Sequence, residues 1–181
     1  MPHLFLPDNT VLINFAIIGR MDLLAELLKG QGTWCLSIAR ECDKSTTYHP
    51  DLSEAAAIFG EPLVPTPSER VNAQTLREAM ASPGEPATQH LGEAETIAIV
   101  SARQLNGLFL TDDAGARALA QRHQITAIST WDLLRLAHKV HKVTRPVLTG
   151  YLRTLAAAGR GTPPGITSLD KLTPWLPPEP E

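Results

Sequence analysis

The chain has 181 residues, 43% hydrophobic and 19% charged, ordinary globular usage that supports one cored domain and leaves no apolar run near the ~18–20 residues of a membrane span. Its formal net charge of −3 excludes a global attraction to nucleic acid, so any such binding must come from a local patch. Two cysteines, Cys35 and Cys42, match no zinc or redox spacing; they read as core thiols and argue against a disulfide scaffold. The opening MPHLFLPDNT shows no basic leader, long apolar stretch or small-residue cleavage site, which points to a soluble cytoplasmic protein.

In chain order, HLFLPD reads as a short buried strand ending in an acid. An apolar helical stretch follows through Ile18, and a second, MDLLAELL, comes after Gly19 and Arg20. TWCLSI has strand character, and IARECDKS opens a helix that carries Glu41 about one turn in. AAAIFGEPLVPTP offers a strand ending at its prolines, and SERVNAQTLREAMA a helix with Ser68 as N-cap and Val71, Leu76 and Met80 at helical spacing. After the polar loop SPGEPATQH, GEAETIAIVSARQL reads as a buried helix beginning near Gly92, with Glu93 and Glu95 in its first turn. LFLTDD is a short apolar run without alternation, as in an inner parallel strand, followed by the helix AGARALAQRH and the strand ITAIS. Trp131 to Val143 and Val147 to Ala158 read as two closing helices separated at Pro146. The proline-rich TPPGITSLDKLTPWLPPEPE is expected to be extended or poorly ordered unless Trp175 docks it. Strands alternating with helices throughout predict a three-layer α/β/α sandwich around a central, mostly parallel sheet.

In such sheets the functional crevice opens at the carboxyl ends of the strands, where helix N-termini also point. By position Asp8 ends the first strand, Asp112 and Asp113 end the LFLT strand, Glu41 follows TWCLSI, and Glu93 and Glu95 open a helix aimed at the same crevice. Taken singly, each has a plainer role: Asp8, Asp112 and Asp113 as helix caps, Glu93 and Glu95 as partners of a helix dipole, Glu41 as a surface residue. Their joint placement is the signal. Four or more carboxylates together cost several kcal/mol unless some are protonated or a cation neutralises them. Mg2+ or Mn2+, which prefers oxygen ligands and activates water, makes such a cluster a phosphodiester-hydrolysing centre. From Leu133 to Leu169 the formal charges are Arg135, Lys139, Lys142, Arg145, Arg153 and Arg160, with no acid before Asp170. Arg135, Lys139, Lys142 and Arg145 are the candidate contacts to the phosphates of a polyanionic substrate, the alternative being a solvated helix face. Trp34 and Trp131 read as core or edge packing rather than stacking platforms, and His138 with His141, at i, i+3, is the one histidine pair whose spacing places both on a helix face.

DNTVLINFAIIGRMDLL, SIARE, GEAETIAIV and FLTDD stand in the order and approximate spacing seen in PIN domains, and the chain resembles that family over roughly residues 3 to 145. It is similar in the order of its acids to the VapC-type toxin ribonucleases. The resemblance implies an α/β/α fold, a magnesium or manganese site and endoribonuclease activity on single-stranded RNA. It carries the family's four acids onto Asp8, Glu41, Glu93 and Asp113, and matches Thr10 and Thr111 to hydroxyls near the metal. Asp8, Glu93 and Asp113, with Asp112 and Glu95 beside them, are the implied ligand set. The third acid is usually Asp in the toxins, whereas here GExE leaves two choices: counting back from Thr111 across a two-residue insertion favours Glu93, and an ungapped count favours Glu95. On this reading residues 1–145 form the nuclease domain and 146–181 a C-terminal helix with a proline-rich tail. A small antitoxin and a homodimer are the implied partners. The rivals are a magnesium-dependent phosphohydrolase of small phosphoesters, disfavoured because Thr10 occupies the second position of an Asp-x-Asp, and an inactive module that binds RNA or protein.

Overall fold

In a computed structural model of the chain, residues 3–167 together with Leu172, Trp175 and Leu176 are described. Three short strands, β1 (Leu4–Pro7), β2 (Gly107–Leu110) and β3 (Thr126–Ile128), form a parallel sheet in the order β1-β2-β3. Alternate residues face opposite layers, as the strand pleat requires. Leu4, Leu6, Phe109 and Ala127 point into one apolar cluster, whereas Phe5, Leu110 and Ile128 point into the other. The first cluster is closed by α5 (Pro67–Met80), α6 (Leu91–Ala102) and α7 (Ala114–Arg122). The second is closed by α1 (Asn9–Ile17), α2 (Met21–Leu28), α3 (Leu36–Ser45), the short α4 (Ala55–Phe59), α8 (Thr130–Lys139) and α9 (Arg145–Ala157). Helix α6 serves both: Ile99 joins the second cluster, while Ala94, Ile97 and Val100 join the first. The three-layer architecture expected from the alternation of elements is therefore the one observed.

Several local expectations are corrected. TWCLSI forms no strand; its neighbourhood makes only isolated parallel bridges, Phe5 with Gly32 and Cys35 with Leu63. The reason is length, because α2 ends at Leu28 and α3 already begins at Leu36. AAAIF is helical rather than extended, and Pro62 and Pro65, which lack an N–H, confine the following pairing to Leu63. Helix α5 is capped by Thr66 rather than Ser68: Thr66 Oγ1 accepts from the Glu69 amide while Glu69 accepts from the Thr66 amide, and Pro67 sits at the first helical position. Val71 lies on its exposed face. The cysteines are buried and unpaired, and Trp34 and Trp131 are core residues. In the tail, Leu172 is buried and Trp175 packs on the second cluster with the Arg135 guanidinium 5.5 Å from its ring centre. The other tail positions, 168–171, 173–174 and 177–181, lie outside the described residues. Among the described residues, no helix is long and apolar enough to cross a membrane.

Candidate active site

Because β1 and β2 run parallel, their carboxyl ends open on the same side of the sheet. Asp8 follows β1, and Thr111, Asp112 and Asp113 follow β2. The two ends are tied together: the Asp8 amide donates to the Leu110 carbonyl at 2.7 Å and Thr111 Oγ1 lies 3.4 Å from Asp8 Oδ2. Helix α3 brings Glu41 and the first turn of α6 brings Glu93. Asp8, Thr10, Glu41, Glu93, Asp112 and Asp113 line one open cavity of about 610 Å³. A groove of about 580 Å³ between α7 and β3 is comparable in size, but its lining of Arg117, Gln121, Gln124 and small residues holds no carboxylate.

Gly92 makes the approach of α3 and α6 close enough. A Cβ there would overlap Ile38 Cδ1 and stand 3.0 Å from Glu41 Oε1. The side chains that result are crowded and poorly solvated. Asp8 is 4% exposed, and burial raises its pKa, as does the charge of Asp113, against the opposing pull of the Thr10 hydroxyl and amide. Burial also pushes Glu41 up to about 7, with the charges of Asp8 and Glu93 adding to it and Lys44 opposing. Glu93 is likewise pushed to about 7, first by burial and then by Asp8, against the His90 ring whose Nδ1 is 2.9 Å from Glu93 Oε2.

The remaining acids differ in what already satisfies them. Asp113 caps α7 through Oδ1, which accepts from the Ala116 amide at 2.7 Å, and the same residue faces the cavity. Thr111, fully buried, sits beneath the site, its Oγ1 accepting from the Asp113 amide. Asp112 reaches the cavity wall with both oxygens engaged, Oδ1 by the Thr130 amide at 2.7 Å and Oδ2 by Thr130 Oγ1 and Asn14 Nδ2. Glu95 does not line the cavity. Its two oxygens accept from the Ser37 amide and hydroxyl, each at 2.9 Å, so it closes the N-terminus of α3 instead. Residues two apart on a helix do not share a face, which is why Glu93 lines the cavity and Glu95 turns away from it towards Ser37.

The basic residues singled out in sequence also divide. Arg135, Lys139, Lys142 and Arg145 do not line the acidic cavity. Arg135 lies over Trp175 and Lys142 pairs with Glu26 at 2.8 Å, because these side chains leave α8 and the α8–α9 turn on the outer surface. His138 is buried with Nδ1 against the Val143 carbonyl, while His141 lies beyond the end of α8, so the pair shares no helix face. What sequence reasoning missed at the site is Lys44, His90, Asn14 and, as a cavity residue, Arg160. Asn14 was legible as an amide interrupting the apolar run from Val11 to Ile18; it is 1% exposed and bonds Asp112, Thr130 and Arg160.

An all-oxygen donor set of buried carboxylates with raised proton affinity has the chemistry of a hard-cation site. Among the described residues no three His, Cys, Asp or Glu side chains converge tightly enough to hold one ion directly. The fit is therefore to a cation such as Mg2+, which takes one or two carboxylates and reaches the others through its waters. No curated protein sequence and no solved structure matches the chain significantly. A family model described as PIN domain matches residues 5–164, a span that includes β2, β3, all of β1 but its first residue, every acid of the cavity and Arg160. With that match over most of its length and the α/β/α fold beneath it, the chain belongs to the PIN-domain family, whose members are typically nucleases.

Proposed function

We propose that this protein is a Mg2+- or Mn2+-dependent endoribonuclease that cleaves phosphodiester bonds in single-stranded RNA. The observation that carries the reading is the convergence of Asp8, Glu41, Glu93 and Asp113 on one open cavity in which burial and mutual repulsion raise the proton affinity of three of them. When bound, the cation supplies charge to the phosphoryl group and acidity to a water. Asp8 and Glu93 would hold it, and the unshared oxygen of Asp113 would reach it through one of its waters. Thr111 fixes Asp8 and Asp113 relative to each other, and Thr10 steadies the Asp8 carboxylate. Glu41, with a proton affinity near neutrality, accepts the proton of the water that attacks phosphorus in line. Asp112 orients the site through Asn14 and Thr130 without touching substrate. An open cavity suits an unpaired strand, whose splayed bases need no groove.

The similarity to VapC-type toxins supports a narrower reading in which a small antitoxin occludes this cavity and the chain pairs with a second copy; light scattering of the purified chain, alone and co-expressed with the product of the adjacent reading frame, tests it. The nuclease reading is tested by incubating wild-type and Asp8→Asn chains with an unstructured RNA in Mn2+ or EDTA. Cleavage by wild type in Mn2+ alone is expected. Equal RNA binding by both chains without cleavage sinks the proposal in favour of a binding module, and turnover of small phosphoesters alone sinks it in favour of a phosphohydrolase.

A further inference from the structure

Helix α9 ends in a left-handed glycine. The Gly159 amide bonds the Ala156 carbonyl at 3.0 Å and the Arg160 amide bonds the Leu155 carbonyl at 2.9 Å, the paired closure of a helix by a C′ glycine. Gly159 has φ 72° and Gly161 φ 85°, so both flanks of Arg160 use backbone that favours glycine. This turn delivers Arg160 across the molecule to the wall of the acidic cavity. There its Nε donates to Asn14 Oδ1 at 2.6 Å and its Nη2 lies 3.4 Å from the Thr10 carbonyl. Both acceptors are neutral. Among the described residues no carboxylate lies within ion-pair distance of the guanidinium, although five line the same cavity, and Nη1 has no partner.

The contrast with two other arginines makes the arrangement informative. Arg103 is neutralised by Glu69 through two 2.8 Å bonds, and Arg77 is buried at 8% exposure with its nitrogens on the carbonyls of Glu85, Pro86 and Gln89. Arg103 serves an ion pair and Arg77 staples a loop. Arg160 is instead held at one edge by neutral groups, with its charge and its remaining donors presented to an open space. A guanidinium fixed in this way is pre-organised for a phosphate, which accepts two parallel hydrogen bonds from it. It also solves a problem that the acids create, since a polyanionic strand entering a cavity of carboxylates is repelled everywhere except at the cation and at a free basic group.

We infer that Arg160 binds a backbone phosphate of the RNA strand beside the scissile bond. The inference rests on the nuclease reading, and the measurement separates the two. Absence of any RNA cleavage by the wild-type chain in Mn2+ removes both. With cleavage present, full-length Asp8→Asn and Asp8→Asn/Arg160→Gln chains are titrated by fluorescence anisotropy against a labelled unstructured RNA over roughly 50 to 200 mM KCl. Loss of one phosphate contact lowers the slope of log K against log salt by about 0.7 and weakens binding about tenfold or more. A lower melting temperature with unchanged slope and affinity gives Arg160 a purely structural role and overturns the inference. If the Arg160→Gln chain does not fold, Arg160→Lys in the otherwise wild-type chain decides: a KM raised several-fold with kcat little changed supports the phosphate contact, and an unchanged KM overturns it.

Discussion

The acidic cavity should make the stability of the metal-free protein fall as pH rises, in the opposite sense to ordinary acid unfolding. Glu41 and Glu93 move from an ordinary 4.5 to about 7 on folding. Below pH 4.5 both are protonated in folded and unfolded chains, and their contribution is intact. As pH rises the unfolded chain loses these protons first, so stability is lost until the folded groups also ionise near pH 7. Between pH 5 and 8 the loss is about 2.5 kcal/mol for each group taken alone. Solvent access and the repulsion they share reduce the combined figure to about 2–4 kcal/mol. At ~2–4 °C per kcal/mol for a chain of this size, that is a fall of roughly 5–15 °C in melting temperature. A cation at one hundred times its dissociation constant returns about 2.7 kcal/mol. Its effect must be small at pH 5, where protons occupy the site, and large at pH 8. Circular dichroism melts in EDTA and in Mg2+ across this range measure both quantities, and Glu41→Gln/Glu93→Gln should flatten the EDTA curve and abolish the metal gain. A melting temperature in EDTA that is level from pH 5 to 8, or a metal gain equal at both ends, would show that Glu41 and Glu93 take up protons no more readily in the folded chain than in the unfolded one.

The choice between the two glutamates of α6 is testable directly. Glu93→Gln should abolish Mn2+-dependent RNA cleavage, whereas Glu95→Gln should keep cleavage and lower the melting temperature by a few degrees, because one of its two bonds to Ser37 is lost. Loss of cleavage with unchanged stability in Glu95→Gln would reverse the assignment. Gly92→Ala should destabilise by about 1–3 kcal/mol through overlap with Ile38, read by urea unfolding, and impair cleavage by displacing Glu41; wild-type stability would show that α3 can move aside. Glu69→Ala removes both the α5 capping box and the Arg103 pair, and should cost about 2 kcal/mol or more. The Glu69 carboxyl is held at about 2, so this contribution is present above pH 4.5 and lost as pH falls through 2. A Glu69→Ala chain that matches wild type in urea at pH 7 would show the pair contributes nothing.

The sheet was readable in sequence where burial on both faces leaves a continuous apolar run, as in LFLTDD and HLFLPD, and the long helices where apolar spacing is regular. Residues 31–65 were not readable in the same way. Their extended pieces are too short to alternate, and the pairing of Gly32 and Leu63 is fixed by distant partners rather than by local pattern. The acids Asp8, Glu93 and Asp113 were legible because strand ends and helix starts have local signatures, whereas Glu41 was reached through a strand, TWCLSI, that does not form, and it lies in the middle of α3. Arg160 as a cavity residue was not legible, since it lies in the turn after α9 and nothing near it in sequence names Asn14 or Thr10 as its partners. The basic segment that contains it was visible, but charge alone does not say which side of a helix reaches the site.

What separates a capping carboxylate from a working one here is the account of what each oxygen already bonds. In a parallel sheet the strand ends and the helix N-termini coincide, so the positions that need caps are the positions where a metal site forms. Residue type and spacing therefore cannot distinguish the two uses. Asp112 and Glu95 have both oxygens satisfied by protein donors, and binding a cation would strip Thr130 or Ser37 of its acceptor. Asp113 satisfies one oxygen with a cap and keeps the other. Asp8, Glu41 and Glu93 carry burial without a matching cationic partner at salt-bridge strength, apart from the contact of Glu93 with His90. Such groups raise the free energy of the folded state unless a proton or a cation arrives. A site that costs stability when empty and recovers it when occupied is one that the fold retains for the occupant, not for itself.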